Sequence, residues 1–187
     1  MAHKSLFPDR LSRLCIAVIG GLLAMRVVFV LISPLELYAD EAQYWRWGQA
    51  LDWGYYSKPP MIAWIIQLST SLFGDSESAI RILAPVFHAI SALFLMLLSR
   101  RMFGSLAAVF TVMAYMFMPG IVLSSGVIST DGVLFPFWCV ALYLFWRLRE
   151  NDLPWPGIVV LGVAVGAGVL SKYAMVYFVV GVALTAL

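Results

Sequence analysis

The sequence predicts an all-α integral membrane protein, a single membrane domain over residues 1–187, and three observations carry that prediction. Hydrophobic residues make up 63% of the chain and charged residues 12%, with a mean hydropathy of +0.93, where a soluble domain is about half apolar and about a quarter charged. The apolar residues gather into runs near the roughly 20 residues that cross a hydrocarbon core of about 30 Å. Basic residues recur at alternate ends of those runs, as the positive-inside rule requires.

Taken in order, the expected spans are about 14–32, 80–98, 106–124, 131–147, 156–170 and 174–187, the last running off the end of the chain. The first follows Lys4, Arg10 and Arg13 but contains Arg26 and has no small-x-small site before Pro34, so it reads as a retained anchor rather than a signal peptide. Pro119 and Pro136 are expected to kink their spans, and Gly162 and Gly166 to admit a neighbouring helix closely. The stretch Met61 to Phe73, MIAWIIQLSTSLF, makes only about 20 Å of helix and carries Gln67, Ser69, Thr70 and Ser71, so it stays on one side. With it there, Lys4, Arg10, Arg13, Arg100, Arg101, Arg147 and Arg149 all face one compartment. That places the N-terminus in the cytoplasm and residues 34–79 outside. Because the chain stops within an apolar run, it is expected to be the N-terminal part of a longer protein.

The external segment has its own pattern. Tyr38 to Trp53 reads as an interfacial helix with Tyr44, Trp45, Trp47 and Leu51 on its apolar side, ended by Gly54. Lys58, Pro59 and Pro60 then force an extended turn.

Charge balance excludes nucleic acid as the main partner, since 12 Lys+Arg stand against 10 Asp+Glu for a net +2 and the basic residues form no stripe. Cys15 and Cys139 lie in apolar runs without metal or disulfide spacing. His3 and His88 have no partner at metal-ligand spacing, and a structural role is favoured for His88.

On this topology Asp40, Glu41, Lys58, Arg81, Asp131 and Lys172 collect on the outer side from distant parts of the chain. Ionisable groups at membrane depth cost about 2.5–3.5 kcal/mol each at a helix centre, which makes them functional candidates. Plainer readings stand beside that one. Asp40 with Gln43 resembles a capping pair, Asp131 is placed to cap its span, and Lys58 is able to snorkel to headgroups. Arg26 is open to snorkelling, to pairing, or to facing a hydrated cavity, and Glu41 and Asp52 read as solvated-face residues.

The strings YADEAQYWRW (Tyr38–Trp47), GYYSKPPMIAW (Gly54–Trp64), LFG (Leu72–Gly74) with Arg81 after it, STDG (Ser129–Gly132) and LSKY (Leu170–Tyr173) occur in order. This set resembles the membrane glycosyltransferases of the GT-C fold related to dolichyl-phosphate-mannose protein mannosyltransferases, which include bacterial aminoarabinose and galacturonic acid transferases of lipid A. The resemblance implies a GT-C-like helix bundle in the bacterial inner membrane with its site on the periplasmic side. It implies a polyprenyl-phosphate sugar donor, a glycolipid or protein acceptor, and inversion. Asp40 would correspond to the catalytic acidic residue, Asp131 to the second acidic position and Lys58 to the lysine at the lipid phosphate. Chemistry suits this, because displacing a phosphate from an anomeric carbon needs a base for the incoming hydroxyl and a cation for the leaving group. Arg81, Lys172, Tyr173 and Glu41 complete the expected substrate-binding set. No cofactor is indicated; a divalent cation on Asp40, Glu41 and Asp131 stays open without dedicated spacing. Alternatives are a transporter or flippase-like protein, whose charges would sit near the midplane, and a non-catalytic scaffold.

Overall fold

The computed structural model describes residues 9–185; Lys4 and His3 lie outside them. Among those residues there are helices and connecting turns but no strands. In chain order the helices are α1 (Arg10–Ile32), α2 (Ala39–Gly48), α3 (Met61–Phe73), α4 (Glu77–Arg81), α5 (Leu83–Phe103), α6 (Ser105–Phe117), α7 (Pro119–Ser124), α8 (Thr130–Arg149), α9 (Trp155–Ser171) and, after a 3-10 turn at Tyr173–Met175, α10 (Val176–Leu184). Three stretches are long and apolar enough to cross a membrane: Arg10–Ile32, Glu77–Phe103 and Thr130–Arg149. Shorter apolar helices stand where the other spans are expected, at Ser105–Phe117, Trp155–Ser171 and Tyr173–Leu184.

Large apolar side chains point away from the bundle, as in Ile32, 73% exposed at the end of α1, and Val163, 64% exposed on α9. A water-soluble protein rarely carries such a continuous apolar surface, and this one is an integral membrane protein.

Three apolar clusters hold the helices together. Cys15 and Ile19 of α1 meet Ala89, Ala92 and Met96 of α5 and Ala108, Val112 and Met116 of α6. The alanines let the backbones approach, which is how helices associate where lipid removes the hydrophobic drive. A second cluster joins Tyr44, Ile62, Ile66, Ile80, Ala84, Ile128 and Val133 and seats α2 and α3 on the bundle. The third joins α8, α9 and α10 through Leu134, Ala141, Ala164, Met175 and Phe178.

Local chemistry sets the boundaries. Asp9 caps α1 by accepting from the Ser12 amide at 3.2 Å. Hydrogen bonds from Ser105 and Ser12 hold its carboxyl well below the usual range, at about 2, and tie the start of α1 to the start of α6. Met118 adopts φ −60°, ψ 127°, since a residue before proline avoids the helical region. The expected kink at Pro119 is therefore a full break, with Pro119 opening α7. Pro136, by contrast, lies within a continuous α8.

Two expectations need correction. The interfacial helix stops at Gly48, not Gly54. The Tyr55 ring stacks on Trp47 at 4.8 Å and its hydroxyl lies 3.0 Å from the Trp47 carbonyl and 3.2 Å from that of Ala50, so a long-range partner serves the freed helix end. Nor do Gly162 and Gly166 meet a neighbour, for a Cβ at either would find nothing within 4 Å among the described residues. The tight glycines of α9 are Gly157, where a Cβ would run into the Leu153 side chain, and Gly168, where it would stand 2.8 Å from Met175 Cγ.

The helix directions sort the charges. Asp9 and Arg100 interact across the ends of α1 and α5, and Arg101 of α5 pairs with Glu150 and Asp152 beyond α8. Arg10, Arg13, Arg100, Arg101, Arg147 and Arg149 therefore share one end of the bundle. The opposite end, about 30 Å away along α5, carries the acidic and lysine candidates.

Candidate active site at the acidic end of the bundle

The site is assembled from the starts of α2 and α8, the end of α9 and the chain between α1 and α2. Asp40 lies in the first turn of α2, but the helix is capped at Tyr38, so the capping role considered for Asp40 does not apply. Ser129 caps α8, its hydroxyl accepting from the Gly132 amide at 3.1 Å, which likewise releases Asp131. Both carboxylates are exposed and stand near the positive ends of helix dipoles, where anions are favoured.

Tyr44, one turn after Asp40, brings them together. Residues four apart share a helix face, and the Tyr44 hydroxyl feels the charge of both Asp40 and Asp131. It is 3% exposed. Burial, then the two carboxylates, push its pKa up, so the phenol stays protonated as a donor. Sequence reading placed Tyr44 only on an apolar face; its spacing from Asp40 was the available signal.

Lys172 Nζ contacts both oxygens of Asp131, at 2.6 and 2.8 Å. It projects from the residue after α9, where the chain turns extended at φ −159°. The following Tyr173 is 64% exposed. Lys58 is half-buried, and its ammonium makes no ion pair among the described residues. Its carbonyl accepts from the Tyr55 amide at 3.1 Å, closing the turn that the two prolines stiffen.

Glu41 and Arg81 depart most from expectation. Glu41 is 1% exposed, which corrects its reading as a solvated-face residue. Its carboxylate receives the Arg81 guanidinium at 2.6–3.2 Å, the Ile128 amide at 2.9 Å and the Tyr38 amide at 3.1 Å. Arg81 spends its other donors on the carbonyls of Leu35 and Glu36, at 2.7 and 2.8 Å. The guanidinium is thus turned inward, tying the entry to α2, the start of α5 and the approach to α8. Arg26 is also buried, at 7% exposure, and donates to the Met116 carbonyl where α6 breaks; the three options left open for it resolve as an inward backbone contact. Among the described residues no three His, Cys, Asp or Glu gather as metal ligands.

Residues 57–187 match the family described as dolichyl-phosphate-mannose-protein mannosyltransferase. The chain belongs to this family. It is 39% identical over 91% of its length to the lipid A galacturonosyltransferase RgtD of Rhizobium johnstonii, covering 36% of that protein. It is 29% identical to the lipopolysaccharide core galacturonosyltransferase RgtA of the same organism, over 80% of the chain and 30% of the relative. To the undecaprenyl phosphate-alpha-4-amino-4-deoxy-L-arabinose arabinosyl transferase 2 of Proteus mirabilis it is 25% identical, over 88% of the chain and 32% of the relative. The chain thus spans about a third of the length of these mannosyltransferase-family relatives. No solved structure matches it.

Proposed function

We propose that the protein to which this chain belongs is an inverting glycosyltransferase that moves a sugar from a polyprenyl phosphate to a glycolipid acceptor of the lipid A class. The reaction takes place at the outer face of the bacterial inner membrane. The observation that carries this reading is the meeting of Asp40, Tyr44, Asp131 and Lys172 at the end of the bundle opposite the arginines. The relatives' names support the donor and acceptor classes, and the arginine end supports the orientation through the positive-inside rule.

In this reading the Asp40 carboxylate takes the proton of the acceptor hydroxyl as that oxygen attacks the anomeric carbon. The bond to the phosphate breaks on the far side, and the polyprenyl phosphate leaves with the electron pair. Tyr44 holds Asp40 in orientation, and Asp131, braced by Lys172, orients the sugar or the acceptor. Lys58, with no ion-pair partner among the described residues, serves the departing phosphate as a point charge. Glu41 and Arg81 do not touch substrate; they fix the backbone that presents Asp40.

The test is Asp40→Asn in the full-length protein, assayed with a polyprenyl-phosphate-linked sugar and lipid A at matched membrane abundance. Loss of a general base predicts a fall of about 10²- to 10⁴-fold. Transfer at the unmodified rate would rule out the assignment.

A further inference from the structure

His88 lies on α5, inside the bundle, and is fully buried. An imidazole without exposure needs partners on both ring nitrogens, and it has them on two different helices. Nδ1 stands 2.9 Å from the Tyr115 hydroxyl of α6, and Nε2 stands 2.9 Å from the Ser124 hydroxyl at the end of α7. The ring also packs against Phe135 of α8, centroid to centroid at 5.9 Å.

The Ser124 side of this hub faces the first turn of α8. A Cβ at Gly132 would stand 3.4 Å from Ser129 Oγ, 3.5 Å from Ser124 Oγ and 3.7 Å from His88 Nε2. The backbone beside Asp131 therefore rests directly on the hydroxyl that His88 engages and on the hydroxyl that caps the helix. Between Ser124 and Ser129 runs the segment whose Ile128 amide is held by Glu41, so the approach to Asp131 is pinned at both ends.

We propose that His88 is a positioning residue for Asp131, acting through Ser124 on the first turn of α8. The imidazole fixes the rotamer of Ser124, Ser124 fixes the close seat of Gly132, and that seat sets where the Asp131 carboxylate meets Lys172. Its kinetic consequence rests on the transferase reading above; its structural consequence does not.

Two replacements separate the two faces of the ring. His88→Gln keeps a polar atom where Nε2 stands, and His88→Asn keeps one where Nδ1 stands. In the full-length protein, His88→Asn and Ser124→Ala are expected to lower kcat roughly tenfold to a hundredfold, as small misplacements near a reacting centre do, with KM unchanged. His88→Gln should remain close to the unmodified enzyme. A purely structural role would instead make kcat follow melting temperature, with Asn and Gln falling together. A second measurement does not depend on activity. Asp131→Cys and Lys172→Cys, with Cys15 and Cys139 replaced, are cross-linked by a short bismaleimide, and adding His88→Asn or Ser124→Ala should reduce the yield. Unmodified kcat and cross-linking in both variants would overturn the proposal. If the unmodified protein transfers no sugar, the transferase reading fails, and the cross-linking comparison alone decides the positional claim.

Discussion

Glu41 and Arg81 stand 40 positions apart and close an ion pair at 2.6 Å with both side chains almost wholly buried. Because Glu41 also receives the Ile128 amide, the residue next to Asp40 is tied to the segment that leads into Asp131. The pair is therefore a strut beneath the candidate site.

Removing one partner leaves a buried charge without compensation, which costs about 3–5 kcal/mol. Arg81→Met and Glu41→Ala should each lower the melting temperature of the full-length protein in detergent. The double variant should lose less than the sum of the two. Additive losses would show that the pair contributes nothing as a pair.

The Asp131–Lys172 pair should behave in the opposite way. Its side chains are 57% and 33% exposed, and exposed ion pairs contribute about 0–1 kcal/mol. Lys172→Met is expected to leave melting almost unchanged while sugar transfer falls at least tenfold, read by thermal unfolding and a transfer assay on one preparation. A fall in melting without a fall in transfer would return Lys172 to a purely structural role.

Much of this was legible in the sequence, and the limits have physical causes. The positions of the long apolar helices, the short helix at Met61–Phe73 and the gathering of arginines at one end follow from hydropathy and charge, which are local properties. The inward turn of Glu41 and Arg81 was not legible, since nothing in DEAQYW says which acid will meet a guanidinium 40 positions away. The early end of α2 likewise depends on Tyr55 reaching back to Trp47. Gly162 and Gly166 matched a packing pattern, yet the glycines under constraint include Gly48, Gly157 and Gly168.

Gly48 makes that distinction measurable. A Cβ there would stand 3.2 Å from the Ala63 carbonyl oxygen of α3. Gly48→Ala should destabilise by about 1–3 kcal/mol, the usual cost of overpacking. Gly162→Ala meets nothing among the described residues and should be neutral or stabilising by about 0.5–1 kcal/mol through helix propensity. Melting temperatures of the two variants should move in opposite directions or differ by that sum.

At the arginine end, hydrogen bonding and charge from Arg101 hold the Asp152 carboxyl below its ordinary range. A depressed folded pKa gives stability that is complete above the unfolded value of about 3.9 and is lost as pH falls through the folded value. Asp152→Asn should lower the melting temperature near neutrality, where the charged carboxylate contributes in full, and flatten its decline across that acid window, so that the two proteins converge at low pH. An unchanged acid decline would mean that other carboxylates carry it.

The central claim is that Asp40, Lys58 and Asp131 share the face opposite the arginines. The most direct measurement is labelling of single cysteines at positions 40, 58, 131 and 149 by a membrane-impermeant maleimide, in intact spheroplasts and after permeabilisation, with Cys15 and Cys139 replaced. Positions 40, 58 and 131 are expected to react in intact spheroplasts and position 149 only once the membrane is opened. Labelling of 40 and 131 from opposite sides would contradict the account.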